Sequence, residues 1–318
     1  MPEDISQNLM PQATYPSFGG GTAGFVTGSK RLSQNSRPQA TCPRPESGAA
    51  GFVTGSKTPT VSMASLRAQF NSRSASYERV YSADQPRSVW HHEKRRRARW
   101  TVSWLSQRGR LAPDARVLDA GCGDGYVSCL LAESTSVAKV VGVDLSVAMI
   151  ERATRRAAVA TPAGQIEFIV GDPRHSEDHW DAIFSLGVVG YQPEPLSFVE
   201  QLAGGVRKDG WLILTVGNPN SLLRRARNIG RSVKRWFARS ADIAYQATSS
   251  RAIDERLSQL GFRLMQRRFL SYALGAGEWS WEAAISHHCE NVLRQHPNLS
   301  AWWAQTEWLV WKRMKSEK

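Results

Sequence analysis

Asp119 and Asp144 stand 25 positions apart, and the segment Asp119-Ala120-Gly121-Cys122-Gly123-Asp124-Gly125 places a glycine at every second position after the first of them. Glycines in that pattern let a backbone turn sharply and come close to a bound molecule, because no Cβ intervenes. The following apolar run, Val140-Val141-Gly142-Val143, ends in Asp144, where a carboxylate can accept hydrogen bonds from both hydroxyls of a ribose. The set predicts a nucleotide-type cofactor. A Gly-x-Gly by itself does not choose among such cofactors, since dinucleotide sites use nearly the same loop. Asp119 makes the choice: a carboxylate at the mouth of the turn repels a pyrophosphate and suits a ligand that carries an ammonium and a sulfonium. The expected cofactor is S-adenosylmethionine.

These residues need a scaffold, and the surrounding periodicity supplies one. Val117-Leu118-Asp119-Ala120 is a short buried-strand pattern that runs into the glycine turn, after which Val127, Leu130 and Leu131 take helical spacing. Val140 to Asp144 reads as a second strand, and Met149 and Ile150 open a helix that continues to about Ala160. Strands alternating with helices predict a parallel sheet with right-handed crossovers, whose ligand crevice lies beyond the carboxyl ends of the strands. Farther on, Trp211 to Val216 reads as a fifth strand broken by Gly217-Asn218-Pro219-Asn220. Ala252 to Leu260 reads as a helix stopped by Gly261, Phe262 to Leu270 as a sixth strand, and Glu307 to Arg313 as a last one.

In these residues the chain resembles the class I S-adenosylmethionine-dependent methyltransferases. Val117-Leu118-Asp119-Ala120-Gly121-Cys122-Gly123-Asp124-Gly125 is close to that family's first motif. The likeness continues through Gly142-Val143-Asp144-Leu145-Ser146 with Met149, Ile166-Glu167-Phe168-Ile169-Val170-Gly171-Asp172, and Asp181-Ala182-Ile183-Phe184-Ser185-Leu186. It is strong over residues 116 to about 217 and weak elsewhere. It implies an α/β fold: a Rossmann-like, doubly wound, mostly parallel seven-stranded sheet with an antiparallel last strand and helical insertions. Position by position, it implies that Asp119, Gly121, Cys122 and Gly123 hold the methionine part and Asp144 the ribose. Leu145 and Met149 would face the adenine, Asp172 would accept from its amino group, Gly171 and Pro173 would shape that wall, and Leu186 would close the floor near the donor.

Leu145, Met149 and Leu186 suit ordinary core as well, whereas acids at the ends of apolar strands have few other uses. Where the family reads Lys-Pro-Gly-Gly before its fifth strand, this chain has Arg207-Lys208-Asp209-Gly210-Trp211, a change that a turn tolerates. The Asn/Asp-Pro-Pro-Tyr signature of amino-directed nucleic-acid and protein methyltransferases is replaced by Ser185-Leu186-Gly187-Val188. That points to O- or C-methylation of a small or lipid-linked acceptor, such as a saccharide, polyketide or isoprenoid. His91, His92, His175, His179 and Tyr191 qualify as a general base by residue type alone, and none is assigned. Two other function classes stay open: an RNA methyltransferase, and a catalytically silent binding module for the same cofactor that holds nucleic acid or an acidic membrane.

The chain as a whole is 318 residues long, with 41 Lys+Arg against 28 Asp+Glu, a net charge of +13 and 41% hydrophobic residues. That apolar share excludes a wholly disordered chain. No run approaches the ~18 apolar residues of a membrane span, and the start lacks the basic and apolar regions of a secretory signal, so a soluble cytoplasmic protein is expected. Cys42, Cys122, Cys129 and Cys289 form no Cys-x-x-Cys pair and suit a reducing compartment.

Residues 1–62, rich in Gly, Ser, Thr, Pro and Gln, read as a disordered tail in which Gly24-Phe25-Val26-Thr27-Gly28-Ser29-Lys30 recurs as Gly51-Phe52-Val53-Thr54-Gly55-Ser56-Lys57. The tail is a duplicated linker, or Met63 opens the functional protein. The expected methyltransferase domain, 63–318, comprises a helical cap (63–115), a cofactor core (116–217), a basic insertion (221–239) and substrate-side elements (250–318). In the cap, Trp90 to Trp100 carries adjacent histidines and a basic run and reads as a solvated or cofactor-covering helix. In the insertion, seven basic residues and no acid alternate with apolar ones at helical spacing. It is open to three readings: a helix on the inner membrane surface, a nucleic-acid contact, or a lid packed on its own domain with a solvated basic side. Trp279, Trp281, Trp302 and Trp303 either line an apolar substrate pocket or pack the core.

Overall fold

The computed structural model describes residues 62–82, 88–107, 110–160, 164–175, 179–226, 228, 245–272 and 280–315. The tail with its duplicated segment and residues 229–239 of the basic insertion lie outside the described residues. The elements run α1 (Met63–Ser82), α2 (Val89–Leu105), β1 (Arg116–Ala120), α3 (Tyr126–Ser134), β2 (Lys139–Asp144), α4 (Val147–Ala160), β3 (Ile166–Val170), β4 (Trp180–Leu186), α5 (Pro195–Gly204) and β5 (Val206–Gly217). They continue with α6 (Ser250–Gln259), β6 (Phe262–Leu270), α7 (Ser280–Leu293), α8 (Pro297–Trp303) and β7 (Thr306–Arg313).

The strands form one seven-stranded sheet in the order β3-β2-β1-β4-β5-β7-β6. β1 to β5 pair in parallel, with Leu118 opposite both Val141 and Ile183, and β7 enters antiparallel between β5 and β6. This is the doubly wound, Rossmann-like α/β arrangement with an antiparallel last strand. Its central strands are buried on both faces, so alternate residues feed two separate cores. Leu118, Val141, Ile183, Leu212 and Leu214 pack with Phe198 and Leu202 of α5 and Ile253 and Leu257 of α6. Val117, Val140, Ala182, Phe184 and Ile213 pack on the other side with Val102 and Leu105 of α2 and Val127 and Leu131 of α3.

α2 is tied to β7 as well, because the Trp308 indole Nε1 donates to Thr101 Oγ1 at 3.0 Å. α1 packs on α4, where Ser146 Oγ donates to Asn71 Oδ1 at 2.6 Å. α1 and the first turns of α2 therefore meet the carboxyl ends of the strands, while the rest of α2 runs along the sheet face. One local expectation changes: β5 begins at Val206, not Trp211. Residues 207–210 bulge out between the pairs Trp180–Val206 and Ala182–Trp211, with Asp209 left-handed at φ 64° and Arg207 bonded to Asp181. Among the described residues, no helix is long and apolar enough to cross a membrane.

Candidate functional site

The glycine turn is strapped to the end of β2. Val143 O accepts from the N–H groups of Gly121 (2.8 Å) and Cys122 (3.1 Å). Gly121, Gly123 and Gly125 all have positive φ, at 82°, 56° and 73°. A Cβ at Gly121 would strike the Val188 side chain, and one at Gly125 would lie 2.6 Å from Phe168 and 2.8 Å from Ala153. Gly123 differs, since nothing lies within 4 Å of where its Cβ would be. Two of the glycines thus serve conformation and packing together, while the third faces open space that a ligand can enter.

Asp144 fixes that third glycine: its Oδ2 accepts from Gly123 N–H and its Oδ1 from Ser146 N–H, both at 2.9 Å. Burial raises its pKa against the pull of those two donors. Asp119 is 2% exposed, and its Oδ2 accepts from Ser128 Oγ at 2.7 Å. Burial first, then the neighbouring Asp144 and Asp124, push the Asp119 carboxyl up to about 7. Asp124 is a brace: its carboxylate takes Arg156 Nη2 at 2.7 Å and its carbonyl takes Arg156 Nε at 3.1 Å, which ties the turn to α4. The Cys122 thiol is buried, and burial beside three carboxylates raises it well above its ordinary value, so it lines the turn as an inert group.

On the far wall, Gly171 N–H donates to Asp144 O at 2.9 Å, and Pro173 is buried. The Asp172 carboxylate is chelated by Arg174, whose Nε lies 2.9 and 3.0 Å from its two oxygens and whose Nη2 lies 2.5 Å from Oδ2. Met149 at 1% exposure and Leu186 at 9% belong to the core, and Leu145 is half-buried beside Asp144. Ser146 caps α4 by accepting from Met149 N–H at 3.2 Å, which sets the rotation that turns Met149 inward.

The crevice mouth is built from segments that the sequence pattern does not connect. Tyr191 stands edge-on to Phe70 of α1 (5.2 Å between centroids, 88°) and to Tyr245 (5.0 Å, 79°). Tyr245 lies over Gly190 and the end of β5, 2.8 Å from where a Gly217 Cβ would be, and burial raises its hydroxyl to about 12, so it stays protonated. From α2, the Arg97 guanidinium lies 2.5 Å from the Cβ position of Gly187, a residue at φ 80° just past β4. Lys94, one turn earlier, is pushed down to about 7 by burial and by Arg97, against the opposing pull of Asp124 and Glu93.

Sequence reasoning missed Phe70, Lys94, Arg97 and Tyr245. The two cations could have been found by placing the basic run on a wheel anchored at Val102 and Leu105, which turns Lys94 and Arg97 to one side. Of the candidate bases, Tyr191 reaches the mouth, whereas His179 precedes β4 and so lies at the opposite end of the sheet. His92 lines a small cavity with Ser271, Ser286 and Glu290 away from the glycine turn. The start of the basic insertion also departs from expectation. Ser221 Oγ accepts from Arg224 N–H and caps a helical turn at 222–226, so Arg224 points inward, 7% exposed, with Nε and Nη2 donating to Gln305 O at 3.1 and 2.5 Å. Of the apolar residues at helical spacing, Leu223 is buried and Leu222 is 42% exposed.

Comparison with known proteins bears on this geometry. Residues 89–267 match the family described as methyltransferase domain. The chain is 30% identical over 185 residues to a tRNA U34 carboxymethyltransferase of Alteromonas mediterranea, covering 51% of this chain and 50% of that one. It is 31% identical over 151 residues to a trans-aconitate 2-methyltransferase of Streptomyces avermitilis, covering 46% and 56%. It therefore spans about half the length of the curated relatives it matches. Among solved structures, magnesium protoporphyrin IX methyltransferase of Synechocystis with bound SAH superposes with a TM-score of 0.59 at 20% identity, over 79% of this chain and 99% of that one. The same enzyme with bound SAM gives a TM-score of 0.57. That likeness is one of fold.

Proposed function

The chain belongs to the S-adenosylmethionine-dependent methyltransferase family, and on that footing we propose that its crevice moves a methyl group onto a small-molecule acceptor, at oxygen or carbon. The observation that carries this reading is the mouth: Phe70, Tyr191 and Tyr245 stand edge to face beyond β4 and β5, beside the Arg97 guanidinium at Gly187. An aromatic wall of this kind takes a planar or apolar group.

The residues present fit the cofactor. The space at Gly123 is open, and Asp144 spends one hydrogen bond per oxygen, leaving lone pairs for ribose hydroxyls. Asp119 is a buried carboxylate whose charge is restored beside a cation. Asp119 would hold the methionine ammonium, Gly121 and Gly123 the backbone contacts, Asp144 the ribose, and Lys94 with Arg97 the methionine carboxylate. When bound, S-adenosylmethionine supplies an electrophilic methyl on a sulfonium. The protein's own part is positioning: Tyr191 and Tyr245 hold the acceptor and exclude water, so that a nucleophile is kept about 3 Å from its target.

The test is incubation of the purified full chain with methyl-labelled donor and fractionated lysate. Label is expected in the small-molecule fractions. Label in RNA, released by ribonuclease, would overturn the reading in favour of the nucleic-acid acceptor that the tRNA-directed relatives suggest. No label in any fraction, with cofactor binding intact, would favour the silent module.

A further inference from the structure

The last two helices are amphipathic in the wrong direction for a protein that keeps its apolar residues inside. Along α7, Trp281, Ile285 and Val292 follow one another at four and seven residues, share one face and are 40–55% exposed. The opposite face, turned to the protein, sets polar groups among Ala283, Cys289 and Leu293. Glu282 is 3% and Ser286 6% exposed, Ser286 Oγ accepts from Tyr272 N–H at 2.9 Å, and Glu290 is ion-paired with Arg96. α8 repeats the pattern: Leu299, Trp302 and Trp303, at i, i+3 and i+4, are 42–54% exposed, whereas Ser300 is buried with its Oγ donating to Leu293 O. Leu222 joins this side, because Ser221 Oγ donates to Trp303 O at 3.0 Å.

The charges around this face have one sign. Both acids between residues 280 and 303, Glu282 and Glu290, belong to the inward side, while Arg294 is exposed. Three residues past Leu222, Arg225 is exposed as well. A self-association contact would set these cations against their own copies, since an isologous interface uses the same patch on both partners. Tryptophans that prefer an apolar–aqueous boundary, flanked by cations, fit a surface that is apolar below and anionic above.

We propose that the face formed by α7, α8 and Leu222 docks peripherally on an anionic phospholipid bilayer, with the tryptophans at headgroup depth. The inference is independent of which acceptor is methylated. The test is co-sedimentation of the full chain with vesicles of phosphatidylglycerol and phosphatidylcholine, and with vesicles of phosphatidylcholine alone, at low and high salt. The chain is expected to bind the mixed vesicles, to release at high salt and to bind the neutral vesicles at least tenfold less.

The double variants Trp302→Ser with Trp303→Ser, and Trp281→Ser with Ile285→Ser, should each lose at least fivefold of that binding. Their thermal midpoints and S-adenosylhomocysteine affinity should be unchanged, and two independent pairs guard against one that fails to fold. No binding to the anionic vesicles, or binding that survives both variants, would overturn the proposal. So would a dimer in sedimentation velocity that either variant dissociates, because it would assign the face to a second copy.

Discussion

Asp119 should make cofactor affinity depend on pH below neutrality. In the free protein, burial raises its carboxyl from 3.8 to about 7, which corresponds to about 4 kcal/mol against the charged form. Folding alone is therefore favoured by this group at acid pH, and that contribution is lost as pH rises from the unfolded value through about 7. Cofactor binding runs the other way, because a ligand with an ammonium and a sulfonium needs the carboxylate. With half of Asp119 ionised at pH 7 and about one part in a hundred at pH 5, affinity should fall about 50-fold across that window. Lys94 contributes little over the same range, since it is pushed to about 7 from above and gains charge on acidification by at most about twofold. The assay is isothermal titration with S-adenosylmethionine from pH 5 to 7, comparing the wild type with Asp119→Asn. The variant should bind more weakly at pH 7 and show a flat profile. A wild-type profile flat to within twofold, or an unchanged slope in the variant, would refute the electrostatic account of this residue.

Asp144→Ala removes the expected ribose contact and strands the Gly123 and Ser146 N–H groups; S-adenosylhomocysteine affinity by calorimetry should fall at least ~100-fold, roughly 2.7 kcal/mol. Gly187→Ala must hold a side chain at φ 80° and displace the Arg97 guanidinium; chemical denaturation should show a loss of about 1–2 kcal/mol, and an unchanged midpoint would mean that Arg97 does not rest there. Thr101→Val keeps the shape of a fully buried residue but leaves the Trp308 indole N–H without its acceptor; a cost of about 1–3 kcal/mol is expected, and Thr101→Ser should recover most of it.

The cofactor half of the fold was legible because its information is local. A buried parallel strand is a short apolar run, a glycine turn follows it, and the acid that ends the next run lies at the same edge, so β1, β2 and the placement of Asp119, Gly123 and Asp144 need only neighbouring residues. β5 was read short because Arg207 to Gly210 leaves the ladder as a bulge, and charged residues in a bulge look like a loop. Asp172 shows a different limit: strand-end position was readable, but chelation by Arg174 two residues on depends on a rotamer that spacing does not encode.

The mouth was the least legible part for a topological reason. Phe70, Arg97, Tyr191 and Tyr245 come from four separate segments and meet only where the cap crosses the carboxyl ends of β4 and β5. The same logic explains Arg224 and Leu222, whose orientations follow from one cap: Ser221 binds both the Arg224 amide and the Trp303 carbonyl, and so couples the start of the basic insertion to α8. Composition alone made that segment a basic helix with a solvated cationic side. The cap instead turns its first arginine inward to Gln305 and leaves Leu222 exposed while Leu223 is buried with Tyr272 and Ala304, so the apolar residues at the start of this segment divide between the exterior and the domain.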